Sequence, residues 1–410
     1  MKFNQMNRRT FIGTTLVGAA ASVLPLPAIA NTGPVKIGMI SPLTGSGGSY
    51  GPNIVKAAQV VATQINDAGG ILGGRMIEII AEDSETNSTA SVRAARKLLD
   101  VNQVSAIVGM WGSGPTLAVK PLAIEKGVSL SCLGAADAIT EGDTQGLIWR
   151  FQATGREWGV PAAKAMLAAG HKKIGILAVQ TAFTQSMIAP FIETIEAGGG
   201  QVVVQAEVKP DQPTFRAEVD KVMGQDVTAV FLPAYIAQFT SIAKEWYRGG
   251  YKTELYTLTI AASAGVNGGG KFISAVGNEV GEGIHHLQPT NDSSSAVYKE
   301  FESLMGAKAG TFLPFSALCA DSLAVQVGAM ERAGTADATV YTKEILTITN
   351  GPGTATSGAV NLLNAIRAGQ DVNYTGYGMD VSFYSNGNLK DRPFGHFVIQ
   401  NGIDIELGLV

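Results

Sequence analysis

Residues 35–83 read VKIGMISPLTGSGGSYGPNIVKAAQVVATQINDAGGILGGRMIEIIAED. Val35 to Ile40 is a short apolar run closed by Ser41 and Pro42, which predicts a buried strand. Thr44 to Gly51 is a loop rich in Gly and Ser. Ile54, Ala57, Ala58, Val61 and Ile65 then recur at helical spacing, and Asn66, Asp67, Gly69 and Gly70 stop the helix. Met76 to Ala81 is a second apolar run that ends in Glu82 and Asp83. The order is strand, helix, strand, with a glycine loop where the first strand feeds its helix. In open α/β sheets ligands bind outside the carboxyl ends of the strands, and this loop lies there.

The alternation continues outward. Strands are predicted at Val104 to Val108, Val128 to Leu133 and Ile148 to Gln152, with helices at Thr86 to Asp100 and Pro115 to Lys126. A second round follows: strands at Lys173 to Val179, Gln201 to Val208, Val227 to Leu232 and Leu255 to Leu258, with helices at Glu157 to Ala169, Gln185 to Ala197, Phe215 to Met223 and Ala237 to Arg248. Regular alternation of this kind implies α/β architecture with doubly wound parallel sheets and right-handed crossovers. Gly281 to Pro289 reads as a return crossing, helical segments follow from Ala296 to Ala368, and the tail holds short strands around the turn Asn386-Gly387. The expected division is a first lobe of residues 31–150 plus 287–377 and a second of 151–286 plus 378–410. A hinge between them permits closure on a ligand.

Composition bounds the function. At 410 residues the chain is long for one core and suits two lobes. Hydrophobic content of 46% with 16% charged residues describes a well-buried globular protein. A net charge of −4 without a basic run gives no reason to expect a nucleic acid partner. Residues 1–30 read as an export signal: a twin-arginine pattern at Asn7-Arg8-Arg9-Thr10-Phe11-Ile12, an apolar stretch to Leu24, and the small-residue cleavage site Ala28-Ile29-Ala30. The stretch is shorter than the roughly 20 residues a membrane span needs. Export places Cys132 and Cys319 in an oxidising compartment, and sequence leaves open whether they pair.

Three loops carry the candidate chemistry. The first, Thr44 to Gly51, departs from a dinucleotide fingerprint because Tyr50 stands where a small residue is needed. It matches a nucleophile-elbow pattern, but His171, His285, His286 and His396 complete no triad, so no catalytic residue is expected. Two readings remain: a turn, or backbone N–H groups at a helix N-terminus suited to a carboxylate. The second loop holds Trp111, Gly112, Ser113 and Thr116, and offers an apolar wall, a hydroxyl and a helix start. The third holds Gly134, Ala135 and Asp137. All three follow strands of one sheet and so converge on one edge. Neither the His pair nor the two Cys make a metal set, and no cofactor is expected.

The residues VKIGMISPLTGSGGSYG, INDAGGILGGRMIEIIAED, AIVGMWGSGPTLAVKPLAIEKGVSLSCLGA and GYGMDVSFYSNGNLKDRPFGHFVI make the chain resemble the periplasmic substrate-binding proteins of the branched-chain amino acid (leucine/isoleucine/valine) type. The resemblance runs from Val35 to the C-terminus, and INDAGGILGGR is its most specific motif. It implies the type I periplasmic binding protein fold, two lobes with a three-crossover hinge, a small-molecule ligand between them, and an ABC permease of the inner membrane as partner for a periplasmic monomer. By position it implies that Tyr50, Ser113 to Thr116 and Gly134 to Asp137 contact ligand from the first lobe, and Phe183 and Tyr235 from the second.

The chain departs from the family in two places, and the first bears on the ligand. Amino-acid binders of this family carry an acid after the strand matching Leu255 to Leu258, where this chain reads Thr257-Leu258-Thr259-Ile260-Ala261, with Thr259 as the expected ligand contact. A buried ammonium without a counter-charge costs several kcal/mol, unless Asp137 or Glu157 supplies one. Arg156 instead favours an anionic ligand. The family's first-lobe disulfide is also missing, with Ser84 and Gly112 near those positions. The reading is a non-enzymatic solute receptor for an amino-acid-like or apolar or aromatic carboxylate. The alternatives are an exported redox enzyme and a sensing module of the same fold.

Overall fold

The structure, a computed structural model, describes residues 33–290, 294–307, 313, 315–378, 380–390 and 392–410. The export signal expected over residues 1–30 lies outside the described residues.

Strands β1 (Val35–Ser41), β2 (Ile77–Asp83), β3 (Ala106–Met110), β4 (Ser129–Cys132) and β5 (Ile148–Arg150) form a parallel sheet in the order β2-β1-β3-β4-β5. The apolar run of β1 is buried on both faces, as a central strand between helical layers must be. Asn87 caps the helix Ser88–Arg96 by accepting from Thr89 N at 2.8 Å and Ala90 N at 3.1 Å.

The chain then builds a second sheet with the same winding. Strands β6 (Lys173–Val179), β7 (Gln201–Val208), β8 (Ala229–Phe231), β9 (Glu254–Leu258) and β10 (His285–Pro289) are parallel in the order β7-β6-β8-β9-β10. After β10 the helices Ala296–Leu304 and Ser316–Ala333 begin a return, and Ser316–Ala333 packs on the helix Gly51–Asp67 and on β3. A small parallel pair, β11 (Thr354–Thr356) and β12 (Val372–Tyr374), lies in this returning part. The chain ends in β13 (Phe394–Gln400) and β14 (Ile403–Leu409), which extend the second sheet beyond β10 as antiparallel strands.

Two expected boundaries move. Residues 287–289 belong to β10, inside the second sheet, so the crossing follows Pro289 rather than lying at 281–289. Residues 383–389, expected in the second lobe, fold onto the edge of the first sheet. There Phe383 bridges Leu389, and Arg150 N donates to Gly387 O at 2.8 Å. Passages between the sheets therefore lie after Arg150, after Pro289 and before Phe394. Cys132 and Cys319 are both buried free thiols, and burial pushes the Cys319 thiol up to about 12.

Candidate ligand-binding cleft

Strand order 2-1-3-4-5 places a switch point between the first and third strands, where consecutive loops diverge and leave a crevice. The first sheet opens one between β1 and β3, and the second opens one between β6 and β8. Both crevices are lined with aromatic rings. Tyr50 follows β1 and Trp111 follows β3, with centroids 5.6 Å apart. Phe183 follows β6 and Tyr235 follows β8, stacked at 5.6 Å and 11°. Trp111 and Tyr235 meet at 5.3 Å, so the two crevices face each other and their rings form one seam. Trp158 extends the seam, edge-on to Phe183 at 6.0 Å and to Phe394 at 5.0 Å.

The first sheet's loops are fixed to one another. Asp83 at the end of β2 accepts from Leu43 N at 3.0 Å, Thr44 N at 3.2 Å and Thr44 Oγ1 at 2.6 Å. Thr86 Oγ1 accepts from Gly47 N at 3.0 Å. These N–H groups of the first loop are thus bound within the protein, which favours the turn reading over an anion nest. Gly47 lies under the indole of Trp111: a Cβ there would stand 2.6 Å from Cζ3. Gly112 caps the helix Ser113–Glu125 with φ 91°, a conformation that favours glycine.

Ser113 Oγ accepts from Ala135 N and Ala136 N, each at 3.1 Å, and so joins the second loop to the third. With both lone pairs engaged, its own O–H is left to donate. Gly134 is buried against the Ser113 backbone. The third loop is gripped from behind by Arg150, fully buried on β5. Its guanidinium donates to the carbonyls of Ala135, Ala136 (2.8 Å) and Asp137 (3.1 Å). Burial lowers the Arg150 pKa, and Cys132, Asp137 and Glu157 offset part of that.

Other expected site residues stand elsewhere. Arg156 points outward, its side chain 66% exposed, and pairs with Glu193 at 3.4 Å. It does not join the seam, because Gly155, Trp158 and Gly159 form the buried face of that helix. Asp137 is exposed. Glu157 completes a capping box, with Oε2 accepting from Thr154 N at 2.6 Å. Thr116 Oγ1 donates to Gly112 O at 2.7 Å, within its own helix. Thr259 Oγ1 lies 2.8 Å from His286 Nδ1, whose Nε2 lies 2.9 Å from Asp404, so the Thr259 hydroxyl is engaged in a buried network within the protein. Tyr50, Trp111, Gly112, Ser113, Gly134 and Ala135 do come together at the first crevice, and Phe183 and Tyr235 at the second.

Sequence reasoning missed Phe315 and Arg150. Phe315 meets Tyr50 and Trp111 edge-on, each at 5.8 Å, and its φ of 67° is unusual for a bulky residue. The seam is electrically neutral at its phenols. Burial raises the pKa of Tyr50 and of Tyr235, and the side chains acting on them are Ser49, Thr181 and Tyr50 itself, all uncharged. Among the described residues no group of three or more His, Cys, Asp and Glu is arranged to hold a metal ion.

Two matching crevices that face each other across crossing strands define a two-lobed binding protein of the type I class. The family model for periplasmic binding proteins matches residues 34–384, and the chain belongs to that family. Its likeness is to the branched-chain amino acid type. The Leu/Ile/Val-binding protein BraC3 of Rhizobium johnstonii is 26% identical over 314 residues, which cover 74% of this chain and 80% of BraC3. The leucine binding protein LivK of Thermotoga maritima superposes with a TM-score of 0.76 at 20% identity, over 92% of this chain and 98% of LivK. An ABC transporter solute binding protein of R. palustris, solved in complex with 4-hydroxybenzoate, gives a TM-score of 0.75 at 20% identity, over 92% and 96% of the two chains.

Proposed function

We propose that this chain is the periplasmic solute receptor of an ABC importer, and that its ligand is a small carboxylate with an apolar or aromatic body. The observation that carries the reading is the seam in which Trp111 meets Tyr235. Aromatic faces from both crevices suit a flat or branched apolar body. Ser113 and the amides at the start of its helix suit a carboxylate, because a helix N-terminus carries partial positive charge. These donors are neutral, and Arg156 adds no cation. The LivK name gives leucine as ligand and the R. palustris complex holds 4-hydroxybenzoate, so the fold accommodates both chemistries. In this reading residues 1–30 are a twin-arginine signal cleaved near Ala30. The mature chain acts as a monomer that delivers its ligand to an inner-membrane permease. Ligand that touches both crevices shifts the population toward closure.

Tryptophan fluorescence and thermal melting test this with benzoate, 4-hydroxybenzoate, 4-methyl-2-oxopentanoate, L-leucine and L-phenylalanine as probes. A carboxylate at 100 times its Kd should stabilise the fold by about 2.7 kcal/mol. A response confined to the two amino acids, or to none of the probes, would overturn the ligand class.

A further inference from the structure

The hydroxyl of Tyr50 donates to the carbonyl oxygen of Ile260 at 2.7 Å. Tyr50 stands at the start of the helix that follows β1, and Ile260 lies in the one-turn helix Thr259–Ala262 that follows β9. The bond therefore runs from a loop of the first sheet to a loop of the second, across the seam. That turn reads Thr259-Ile260-Ala261-Ala262, so its acceptor toward Tyr50 is a backbone carbonyl rather than an acid. The phenol is not free to swing away. Tyr50 is 6% exposed, and its ring is held by Trp111 at 5.6 Å and by Phe315 at 5.8 Å. Phe315 occupies the left-handed region, at φ 67°, where a bulky side chain persists only when its surroundings hold it. Its contacts with both Tyr50 and Trp111 are such surroundings.

A ligand donor placed at this point, an ammonium or an amide, meets a carbonyl that already holds the phenol on one of its two lone pairs, and must share that oxygen or displace the phenol. We propose that the Tyr50 hydroxyl is an interlobe latch that occupies the Ile260 acceptor and so selects ligands without an ammonium group. The selectivity half rests on the carboxylate-receptor reading above; the latch half does not. A carboxylate that lacks the amino group leaves the latch intact and adds its own contacts to a cleft the protein itself bridges. An α-amino acid must break the latch, crowd its ammonium onto a carbonyl shared with the phenol, or leave the ammonium unpaired.

The test is Tyr50→Phe, which keeps the ring and removes only the donor. Two probe pairs differ solely in the amino group: 3-phenylpropanoate with L-phenylalanine, and 4-methylpentanoate with L-leucine. Calorimetry should show that the full chain prefers the member without the amino group. In Tyr50→Phe that preference should fall by about tenfold, because the freed carbonyl now receives the ammonium. X-ray scattering of both proteins without probe should show a larger radius of gyration for Tyr50→Phe. An unchanged preference in the variant overturns the selectivity, as does a native preference for the amino acids. Identical scattering curves overturn the latch. If no probe binds either protein, the carboxylate reading and the selectivity built on it fail together, and the scattering comparison still decides the latch.

Discussion

The two sides of the cleft share a winding and differ in how their loops are held. On the first sheet, side chains distant in sequence tie one loop to the next: Asp83 to Thr44, Ser113 to Ala135 and Ala136, and Arg150 to residues 135–137. On the second sheet the turn that carries Phe183 is held locally, while Thr259, His286 and Asp404 tie the loop after β9 to distant residues. Thr181 caps the turn that carries Phe183 by accepting from Thr184 N at 3.2 Å, and Tyr235 begins its helix without a side-chain cap. Cross-linked loops hold polar groups in fixed positions, whereas locally tied loops let aromatic rings settle on what they meet. In the proposed reading the first side orients the polar head of the ligand, and the second packs against its apolar body.

Arg150→Met should break this contrast most severely. It removes the guanidinium from the carbonyls of Ala135, Ala136 and Asp137, of which the first two keep the amides of Gly155 and Ile139 as donors, and the expected loss is on the order of 2–3 kcal/mol. Urea denaturation reads it. A loss below about 1 kcal/mol would mean that the third loop is not held by Arg150.

Two buried acids carry the contrast into pH. Asp321 uses Oδ1 to accept from Tyr374 Oη and Tyr377 N, each at 2.8 Å, while Oδ2 has no hydrogen-bond partner among the described residues. Burial pushes its pKa up to about 7, against partial offset from those two bonds and from Arg392. Asp404 is also pushed up by burial, but hydrogen bonds from His286, Ser263 and Ala264 outweigh that and hold it below the usual range. The signs are opposite. Between about pH 4 and 7 the folded state keeps a proton on Asp321 that the unfolded chain has lost, so this acid's contribution falls as pH rises and is gone above 7. The Asp404 contribution is present above about pH 4 and is lost below it. Asp321→Asn retains an acceptor for both Tyr groups and should melt higher than the native protein at pH 8, with a smaller difference at pH 5. Equal melting differences at the two pH values would count against a protonated Asp321.

Much of the seam was legible because it depends on strand ends. A glycine-rich loop after each apolar run marks where a strand stops, and the strands of a parallel sheet stop on one edge, so Tyr50 and Trp111 could be brought together from order alone. Phe183 and Tyr235 followed from the resemblance. What escaped depends on pairings that no local pattern records. Arg150 looks anomalous in an apolar strand until the β4–β5 pairing sets it beside the loop at 135–137. Thr259 looked like a cleft residue, but His286 and Asp404, 27 and 118 residues further along from their respective partners, draw its hydroxyl away. Arg156 shows the limit of spacing alone, since a helix start near the cleft also has an outer face. Strand β10 was misread because its two histidines and Pro289 obscure an alternation that the flanking β9 and β13 make into sheet.

Ser113→Ala removes the acceptor for two amides and should cost roughly 1–3 kcal/mol. It should also weaken carboxylate binding in the fluorescence titration, while Thr181→Ala, a lost cap, should cost only about 1 kcal/mol. The comparison is sharpest in the double variants. Ser113 and Arg150 grip the same loop from opposite sides, so once one is gone the other has less ordered structure to hold. Their combined effect should depart from additivity by about 0.5–3 kcal/mol, the range for residues that share partners. Thr181→Ala combined with Arg150→Met touches no shared partner and should add within about 0.5 kcal/mol. Strict additivity in the first pair would mean that the loops are held independently, and the difference between the two sides of the cleft would then be one of residue type alone.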